Sequence, residues 1–387
     1  MNHLSSIPLD EQSHAPAKVF PEDLSRKLRS LSFLAACFVV LIHAKTNEIP
    51  CSKTVVWIMD FFSFALASFA VPMFFAISGY LNAWKTDCGQ MPGWYPLTLK
   101  KKWRTLGIPY LTWCTIYAVT FLPFNLLGNH LAGRALTCGN FLHEPLLSPG
   151  NLGRLYGLDI FSSPVAGVMW YVRSLIIFNI FSPLFFSVLR HRNTGLFFLF
   201  VSGFFFFFHD LIPGMEWFFL SRFFTIRWLF FYAFGAFCAC YPVKYDSYFP
   251  FIRGLIPFVW IALSVLLVCQ WVWEGNDNLI FKKILYKTVI LSGIISIWYI
   301  YDMIPLFQRI GTCSCTKESF FVYAFHYLAG AILLCSRIQN FLVFRLHIPA
   351  LGVYLLRFFV PLAASLLTAN LLKRFLPRFY SLLTGGR

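Results

Sequence analysis

Ionisable side chains interrupt several strongly apolar segments, and two of them are histidines, the residue type used most often for proton transfer. His43 follows the apolar run 38–42, and His326 ends the aromatic-rich run 320–325. A titratable group inside a bilayer costs about 2.5–3.5 kcal/mol or more, so it is kept for a function or a specific partner. A neutral imidazole accepts protons near neutral pH. Both histidines are therefore candidate bases, and the alternative is a structural histidine bonded to a neighbouring helix.

Two arginines and two carboxylates also lie inside or at the start of apolar segments. Arg173 lies in an apolar segment that begins near residue 167, and Arg357 lies in the last apolar segment. Asp60 and Glu318 are the carboxylates offered as partners for these arginines. Structural ion pairing and a functional role are both open for all four residues.

Several kinds of chemistry lack the residues they need. The chain has no phosphate-binding P-loop, no G-x-G-x-x-G, no G-x-S-x-G and no H-E-x-x-H motif. Cys313 and Cys315 form a C-x-C pair without a histidine or second cysteine pair at zinc-site spacing. The sequence therefore argues against NTP-driven transport and a grafted hydrolase domain, and it predicts no metal site.

The composition identifies the environment in which these residues lie. The chain of 387 residues is 58% hydrophobic and 12% charged, with a mean hydropathy of +0.66. Soluble domains average about 45–50% apolar and about 25% charged residues, so this is an integral membrane protein. The net charge of +16 falls mostly between apolar segments, where it serves topology and lipid contact and does not indicate a nucleic acid partner.

The apolar segments are long enough for about ten membrane-spanning helices at about 20 residues each. They predict an all-α polytopic fold with one domain at 25–375, a disordered tail at 1–24 and a second tail at 376–387. Both tails and both termini are predicted to be cytoplasmic, because most Lys and Arg residues then lie inside. The loop 128–166 would be external. The predicted helices are 29–48, 55–83, 105–127, 167–189, 195–212, 225–242, 254–273, 284–303, 318–337 and 349–372.

Pro72 lies within the long second segment and predicts a kink or broken turn at that point. The basic residues between the second and third segments, together with Arg29, form the largest positive cluster of the predicted cytoplasmic side.

Several segments together resemble the acyltransferase-3 family, whose multi-pass members O-acylate carbohydrates. Residues 28–43 resemble its opening helix with a single histidine, and residues 71–80 resemble its V-P-x-F-F-x-x-S-G-[FY] element. Residues 104–113 are similar to its R-x-L-x-I-P-Y-x-x-W element. Residues 170–175 and 320–326 resemble its W-[FY]-[LV]-R-x-L and F-F-I-Y-x-x-H elements, in the same order along the chain. One position departs from the family, because Ser32 stands where the family usually has an arginine, and Arg29 is a possible substitute.

The resemblance implies an enzyme that transfers an acyl group, most commonly acetyl, from cytoplasmic acyl-CoA to a hydroxyl of a surface or secreted glycan. It implies that His43 acts as general base or as an acylated intermediate. It further implies that Arg173 and His326 polarise the thioester or hold the acceptor. Arg29, Lys102 and Arg104 are the expected contacts for the phosphates of CoA, since basic side chains match such charges.

Those implications amount to an O-acetylating, polysaccharide-modifying transferase of the cell (plasma or inner) membrane, with acyl-CoA as co-substrate. Membrane lipid and a carbohydrate acceptor are its expected partners. The acyl group, the acceptor and the oligomeric state are left open. Two other classes stay possible: a transporter or flippase of a glycan or lipid-linked substrate, and a structural partner in a biosynthetic complex.

Overall fold

The described part of the chain is almost entirely helical. The computed structural model describes residues 20–45, 49–131, 156, 166–212, 225–242, 250–273, 278–334 and 336–386. These residues are 87% helical and contain no strand, which confirms the all-α prediction. Most of the predicted external loop at 128–166, and residues 1–19 of the predicted first tail, lie outside the described residues.

The α-helices are numbered here in chain order. They are α1 (Glu22–Ala44), α2 (Lys53–Asp60), α3 (Ala70–Lys85), α4 (Trp94–Lys102), α5 (Ile108–Leu131), α6 (Trp170–Ile180), α7 (Ser182–Leu189), α8 (Arg192–Phe208), α9 (Ile226–Cys240), α10 (Pro250–Trp273), α11 (Leu279–Met303), α12 (Pro305–Ile310), α13 (Ser319–Leu334), α14 (Ser336–Asn340), α15 (Ala350–Phe375) and α16 (Pro377–Thr384). Short π-helical and 3₁₀ segments join some of them.

Every one of the predicted apolar segments coincides with helical structure, but fewer of them qualify as membrane spans. Within the described residues, 6 helices are long and apolar enough to cross a bilayer, or 7 if α6 and α7, bent by 63°, form one span. The predicted number of about ten spans and the orientation of the termini stay predictions. The 6 spans are Glu22–Ala44, Lys53–Lys85, Arg192–Leu211, Arg253–Trp273, Leu279–Met303 and Ala350–Phe375.

The second span is continuous but irregular in the turns directly before Pro72, the proline that predicts a kink. The π-helical turn Phe61–Ala65 and the 3₁₀ turn Leu66–Phe69 replace regular α-helix before Pro72. Pro72 itself lies in the first turn of α3, which begins at Ala70. The first amides of a helix have no acceptor within the helix, so a proline at this position removes no hydrogen bond.

The closest helix pair is α3 with α9, which approach each other at the level of the backbone. A Cβ atom added to Gly79 would lie 1.9 Å from the carbonyl oxygen of Tyr232. A Cβ atom added to Gly235 would lie 1.9 Å from the carbonyl oxygen of Ala76. Asn82 also donates a hydrogen bond of 2.8 Å to the Tyr232 hydroxyl. Small residues at both crossing points are what allow helices to pack this closely.

A disulfide joins the same two elements beyond their ends. Cys88, which follows α3, is bonded to Cys240, the last residue of α9. The sequence did not single out this pair among its 11 cysteines.

The two ends of α1 define the two ends of the bundle. Lys27, near the start of α1, forms a 2.6 Å ion pair with Asp302 at the end of α11, and we call this the basic end. His43 is the penultimate residue of α1, and we call its end the histidine end. Since α11 ends at the basic end, it begins at the histidine end.

The segment 376–387, expected as a tail, contains the docked helix α16. Tyr380, Leu383 and Thr384 are buried in it. Tyr380 donates a hydrogen bond to Glu318, and the indole of Trp113 donates one of 3.0 Å to the Leu383 carbonyl. The helix is therefore part of the folded bundle at the basic end.

The α3–α9 contact generates a stability prediction. Replacing Gly235 with alanine places a methyl group against the Ala76 carbonyl, so the helices must separate. Overpacking of this kind costs about 1–3 kcal/mol, occasionally more. We expect Gly235→Ala to lower the melting temperature in detergent by several degrees, as followed by thermal unfolding of the purified protein.

Gly254→Ala is the matched control, because Gly254 also lies in a helix and has no atom within 4 Å of the added methyl group. Alanine favours helices by about 0.5–1 kcal/mol over glycine, so this variant should be neutral or stabilised. Equal melting temperatures for the two variants would contradict the close packing of α3 and α9.

Candidate functional site

The two candidate histidines lie side by side. The rings of His43 on α1 and His326 on α13 have centroids 5.3 Å apart. His326 is buried, with 2% of its surface accessible, while His43 is exposed. Two helices that are far apart in sequence thus bring both residues to one place. Because the buried His326 covers one side of the His43 ring, a substrate can approach His43 only from the other side.

Backbone carbonyls orient the His326 ring. Its Nδ1 atom lies 2.7 Å from the Tyr323 oxygen and 3.2 Å from the Val322 oxygen, one helical turn earlier. Carbonyls only accept hydrogen bonds, so this geometry assigns the ring proton to Nδ1. Nε2 then carries the lone pair, and it has no hydrogen-bond partner among the described residues. His326 is thus built to offer an acceptor nitrogen in a buried place.

Arg357 holds the end of the helix that carries His43. Its Nη2 atom lies 3.4 Å from the His43 carbonyl, and Nη1 donates to the Gln339 side chain at 3.1 Å. The last carbonyls of a helix lack acceptable donors within it, and a cation there also interacts favourably with the helix dipole. Arg357 therefore has a structural role: it holds the end of α1 and so positions His43.

The carboxylates offered as arginine partners bind lysines instead. Asp60 forms an ion pair with Lys45, and Glu318 forms one with Lys373. Arg173 is buried on α6, and its charge acts on the side chains of Tyr110 and Cys114 on α5.

A layer of aromatic rings lies beneath the histidine pair. The Tyr323 ring centroid is 6.3 Å from that of His326 and 5.5 Å from that of Tyr171. Phe74 packs against both tyrosines, with centroids 5.6 Å from Tyr171 and 5.9 Å from Tyr323. The Tyr323 hydroxyl donates to the Val168 carbonyl, which fixes the ring in place. We call Phe74, Tyr171 and Tyr323 the aromatic layer.

A cavity of about 550 Å³ reaches from the basic end to this layer. At the basic end it is lined by Lys85, Lys101 and Lys102. At its other end it is lined by all three residues of the aromatic layer together with Ser78. Among the residues that line it none is acidic, so the cavity favours an anionic ligand with an apolar or narrow extension. We call it the donor cavity for its proposed role below.

The predicted phosphate contacts divide between this cavity and the surface. Lys102 lines the cavity. Arg29 is exposed, with its Nε atom 3.4 Å from the Ser25 carbonyl, and Arg104 is also exposed. Neither lines the cavity, whereas Ser32, at the position of the family arginine, does.

The sequence placed Lys101 in the positive cluster but did not single out Lys101 or Lys85 as residues of a cavity. Both were visible as basic residues next to apolar segments, but so were Lys100 and Arg104. Only the packing of α3 and α4 against α6 distinguishes the side chains that face the cavity from those that face outward.

Comparison with known proteins agrees with this geometry. The sequence profile of the acyltransferase-3 family, described as an acyltransferase domain, matches residues 28–370. A search of curated proteins and a search of solved structures found no significant match. Because the match extends over nearly the whole chain and covers the histidines, the aromatic layer and most of the cavity, the chain belongs to the acyltransferase-3 family of membrane acyltransferases.

Proposed function

We propose that the protein transfers an acyl group, most simply acetyl, from acyl-CoA to a hydroxyl of a cell-surface or secreted glycan. The observation that carries this proposal is the continuity of three features. A basic cavity ends on an aromatic layer, and that layer contacts a buried histidine paired with an exposed one. Cavity, layer and histidine pair supply a place for the donor, a place for the thioester and a base.

The charge of the donor cavity matches acyl-CoA as co-substrate. CoA carries several phosphate groups, which ammonium groups bind through charge-assisted hydrogen bonds. Lys85, Lys101 and Lys102 lie where such phosphates would enter. The pantetheine arm is narrow, and it suits the deeper part of the cavity near Ser78 and the aromatic layer.

His43 is the proposed general base because it is the exposed member of the pair. The acceptor hydroxyl gives its proton to a ring nitrogen of His43 while its oxygen bonds to the thioester carbon. The carbon–sulfur bond then breaks, and the CoA sulfur leaves with the electron pair and receives the proton. An acyl-histidine intermediate would use the same residue, with the ring nitrogen attacking first.

His326 and Arg173 are assigned supporting roles in this proposal. The Nε2 atom of His326 faces the same place as His43 and can hold the acceptor or relay a proton. Arg173 is proposed to stabilise negative charge on the thioester oxygen, a role that suits a buried guanidinium.

The proposed orientation places the basic end and both termini in the cytoplasm of a cell membrane, plasma or inner. Acyl-CoA is then taken from the cytoplasm, and the acceptor approaches from the histidine end. Membrane lipid surrounds the bundle.

A transporter or flippase is the second candidate function. It is favoured by the irregular turns Phe61–Ala65 and Leu66–Phe69 within the second span, since interrupted helices often line transport pathways. Consumption of acyl-CoA separates the two candidates, because a transporter would not release CoA.

Removal of the proposed base tests the mechanism. We expect His43→Asn to lower acceptor-dependent CoA release by about 10²–10⁴-fold, the usual contribution of a general base. The measurement is the turnover of purified protein with membrane glycan extracts and radiolabelled acetyl-CoA. His347→Asn is the control, since His347 is exposed at the same end of the bundle. Full activity of His43→Asn would exclude the mechanism.

Neighbouring lysines of one helix test the donor cavity. Lys101→Gln and Lys102→Gln each remove a charge from the cavity wall, so we expect the KM for acyl-CoA to rise about tenfold or more with kcat little changed. Lys100→Gln is the control, because Lys100 is exposed and does not line the cavity. The same rise in KM for all of these variants would show that only the general positive charge matters.

The exposed thiol of Cys313 tests the orientation. Cys313 lies at the basic end, and a hydrogen bond from Cys315 lowers the pKa of its thiol, whereas burial raises the pKa of Cys315 to about 11. A membrane-impermeant maleimide should therefore label Cys313 in permeabilised but not in intact cells, with Cys313→Ser as control.

Labelling of Cys313 in intact cells would reverse the orientation. It would also place the Cys88–Cys240 disulfide, which lies at the same end, in an oxidising compartment, where disulfides persist. In the proposed orientation this pair faces the cytoplasm and should be largely reduced in the living cell.

A further inference from the structure

A second charged site lies at the histidine end, on the side of the bundle formed by α8, α9 and α11. It consists of His209 and Asp210 in the 3₁₀ turn after α8, Arg227 in α9, and Lys283 and Lys287 in α11. We call it the α8–α11 basic cluster. Neither the donor cavity nor the proposed mechanism uses any of these residues.

Asp210 is the centre of the cluster and is already fully engaged. Its carboxylate pairs with Lys287 at 2.8 Å, with His209, and with Arg227 at 3.9 Å. Its backbone carbonyl accepts a 3.1 Å hydrogen bond from Lys283. One carboxylate and its own backbone therefore bind four basic side chains.

The positive charge of the cluster exceeds its negative charge. Three permanently charged cations surround one carboxylate, and Asp210 is the only carboxylate that the described residues place in ion-pair contact with them. Asp210 compensates the buried Lys287, whose side chain is only 5% exposed, so the excess charge is carried by Arg227 and Lys283. Excess charge in such a place is costly unless an anion offsets it.

Hydrogen-bond donors also exceed acceptors in the cluster. The indole N–H of Trp228 is a buried donor that has no partner among the described residues. The Arg227 guanidinium lies over the Trp228 ring, 5.3 Å from its centroid, and its side chain is 46% exposed. A group that brings negative charge and several acceptor oxygens would satisfy both imbalances, and Arg227 marks where it would enter.

The cluster adjoins the reaction site through packed aromatic rings. Trp228 packs against Phe75 with centroids 6.2 Å apart, and Phe75 packs against Tyr171 of the aromatic layer at 4.7 Å. The cluster and His43 lie at the same end of the bundle, so a chain molecule bound at the cluster by one residue can present another residue to His43.

We propose that the α8–α11 basic cluster binds a carboxylate, sulfate or phosphate group of the acceptor, so that the acceptor is an acidic glycan. This inference rests on the proposed function and specifies its acceptor class. Arg227 and Lys283 bind the anionic group next to Asp210, and Lys287 holds Asp210 in place.

Direct binding tests the inference independently of turnover. The full-length protein in phosphatidylcholine nanodiscs is titrated with an oligogalacturonide and with a neutral maltooligosaccharide of equal length. We expect the acidic probe to bind, the neutral probe to bind at least tenfold more weakly, and inorganic phosphate to compete.

Single-charge variants locate the site. Arg227→Gln and Lys283→Gln should each weaken oligogalacturonide binding about tenfold, since each removes a charge-assisted contact. Arg345→Gln is the matched control, because Arg345 is exposed at the same end and belongs to another part of the surface. Retained acyl-CoA affinity in every variant shows that the protein is folded.

Several results would overturn the inference: equal binding of both probes, an equal loss in Arg345→Gln, or no loss in Arg227→Gln and Lys283→Gln. Loss of oligogalacturonide binding when phosphatidylglycerol replaces phosphatidylcholine would identify the cluster as a lipid head-group site and would also overturn it. Transfer to neutral glycans that is indifferent to Arg227 would overturn the acceptor class but leave the transferase. Arg227-dependent binding without any acyl transfer would support the anion site and overturn the proposed function.

Discussion

The backbone contact between α3 and α9 is the constraint on which the rest of the site depends. Gly79 and Gly235 allow the approach, and the Asn82–Tyr232 hydrogen bond fixes its register. From α3, Phe74 enters the aromatic layer, while Ser78 and Lys85 line the donor cavity. From α9, Arg227 and Trp228 reach the α8–α11 basic cluster. A change in helix separation would therefore move the donor cavity and the basic cluster together.

The helix α1 links the two ends of the bundle. Ser32 lines the donor cavity and His43 lies 11 residues later, which corresponds to about 16 Å along the helix axis. In the proposed function, a pantetheine arm spans much of this distance, so that the nucleotide stays at the basic end while the thioester approaches the histidines. Donor and acceptor then meet from opposite ends, and neither has to cross the bilayer.

The sequence predicted the all-α fold and singled out the two histidines that lie side by side, because both signals depend on local composition. Apolar length marks helices, and a histidine in an apolar run is conspicuous wherever it packs. Pro72 predicted a distortion in this span, but the π-helical turn at Phe61–Ala65 was not predicted, because the residues involved are ordinary helix formers in a membrane. The sequence could not show that Lys101 lines the cavity and Lys100 does not, because the two adjacent lysines differ only in the direction in which their side chains point. Glu318 forms an ion pair with Lys373 because segments far apart in sequence come into contact, and no local sequence pattern encodes such a contact.

The surroundings of the histidine pair suggest how the proton must move. Within the described part of the chain, neither His43 nor His326 forms an ion pair with a carboxylate, unlike the base of a Ser-His-Asp triad. Arg357 holds the His43 backbone instead, and carbonyls orient His326. Among the described residues, an imidazolium formed on His43 would thus have no carboxylate partner to retain it. In the proposed mechanism the departing CoA sulfur carries negative charge, so return of the proton to that sulfur both neutralises the leaving group and restores the base.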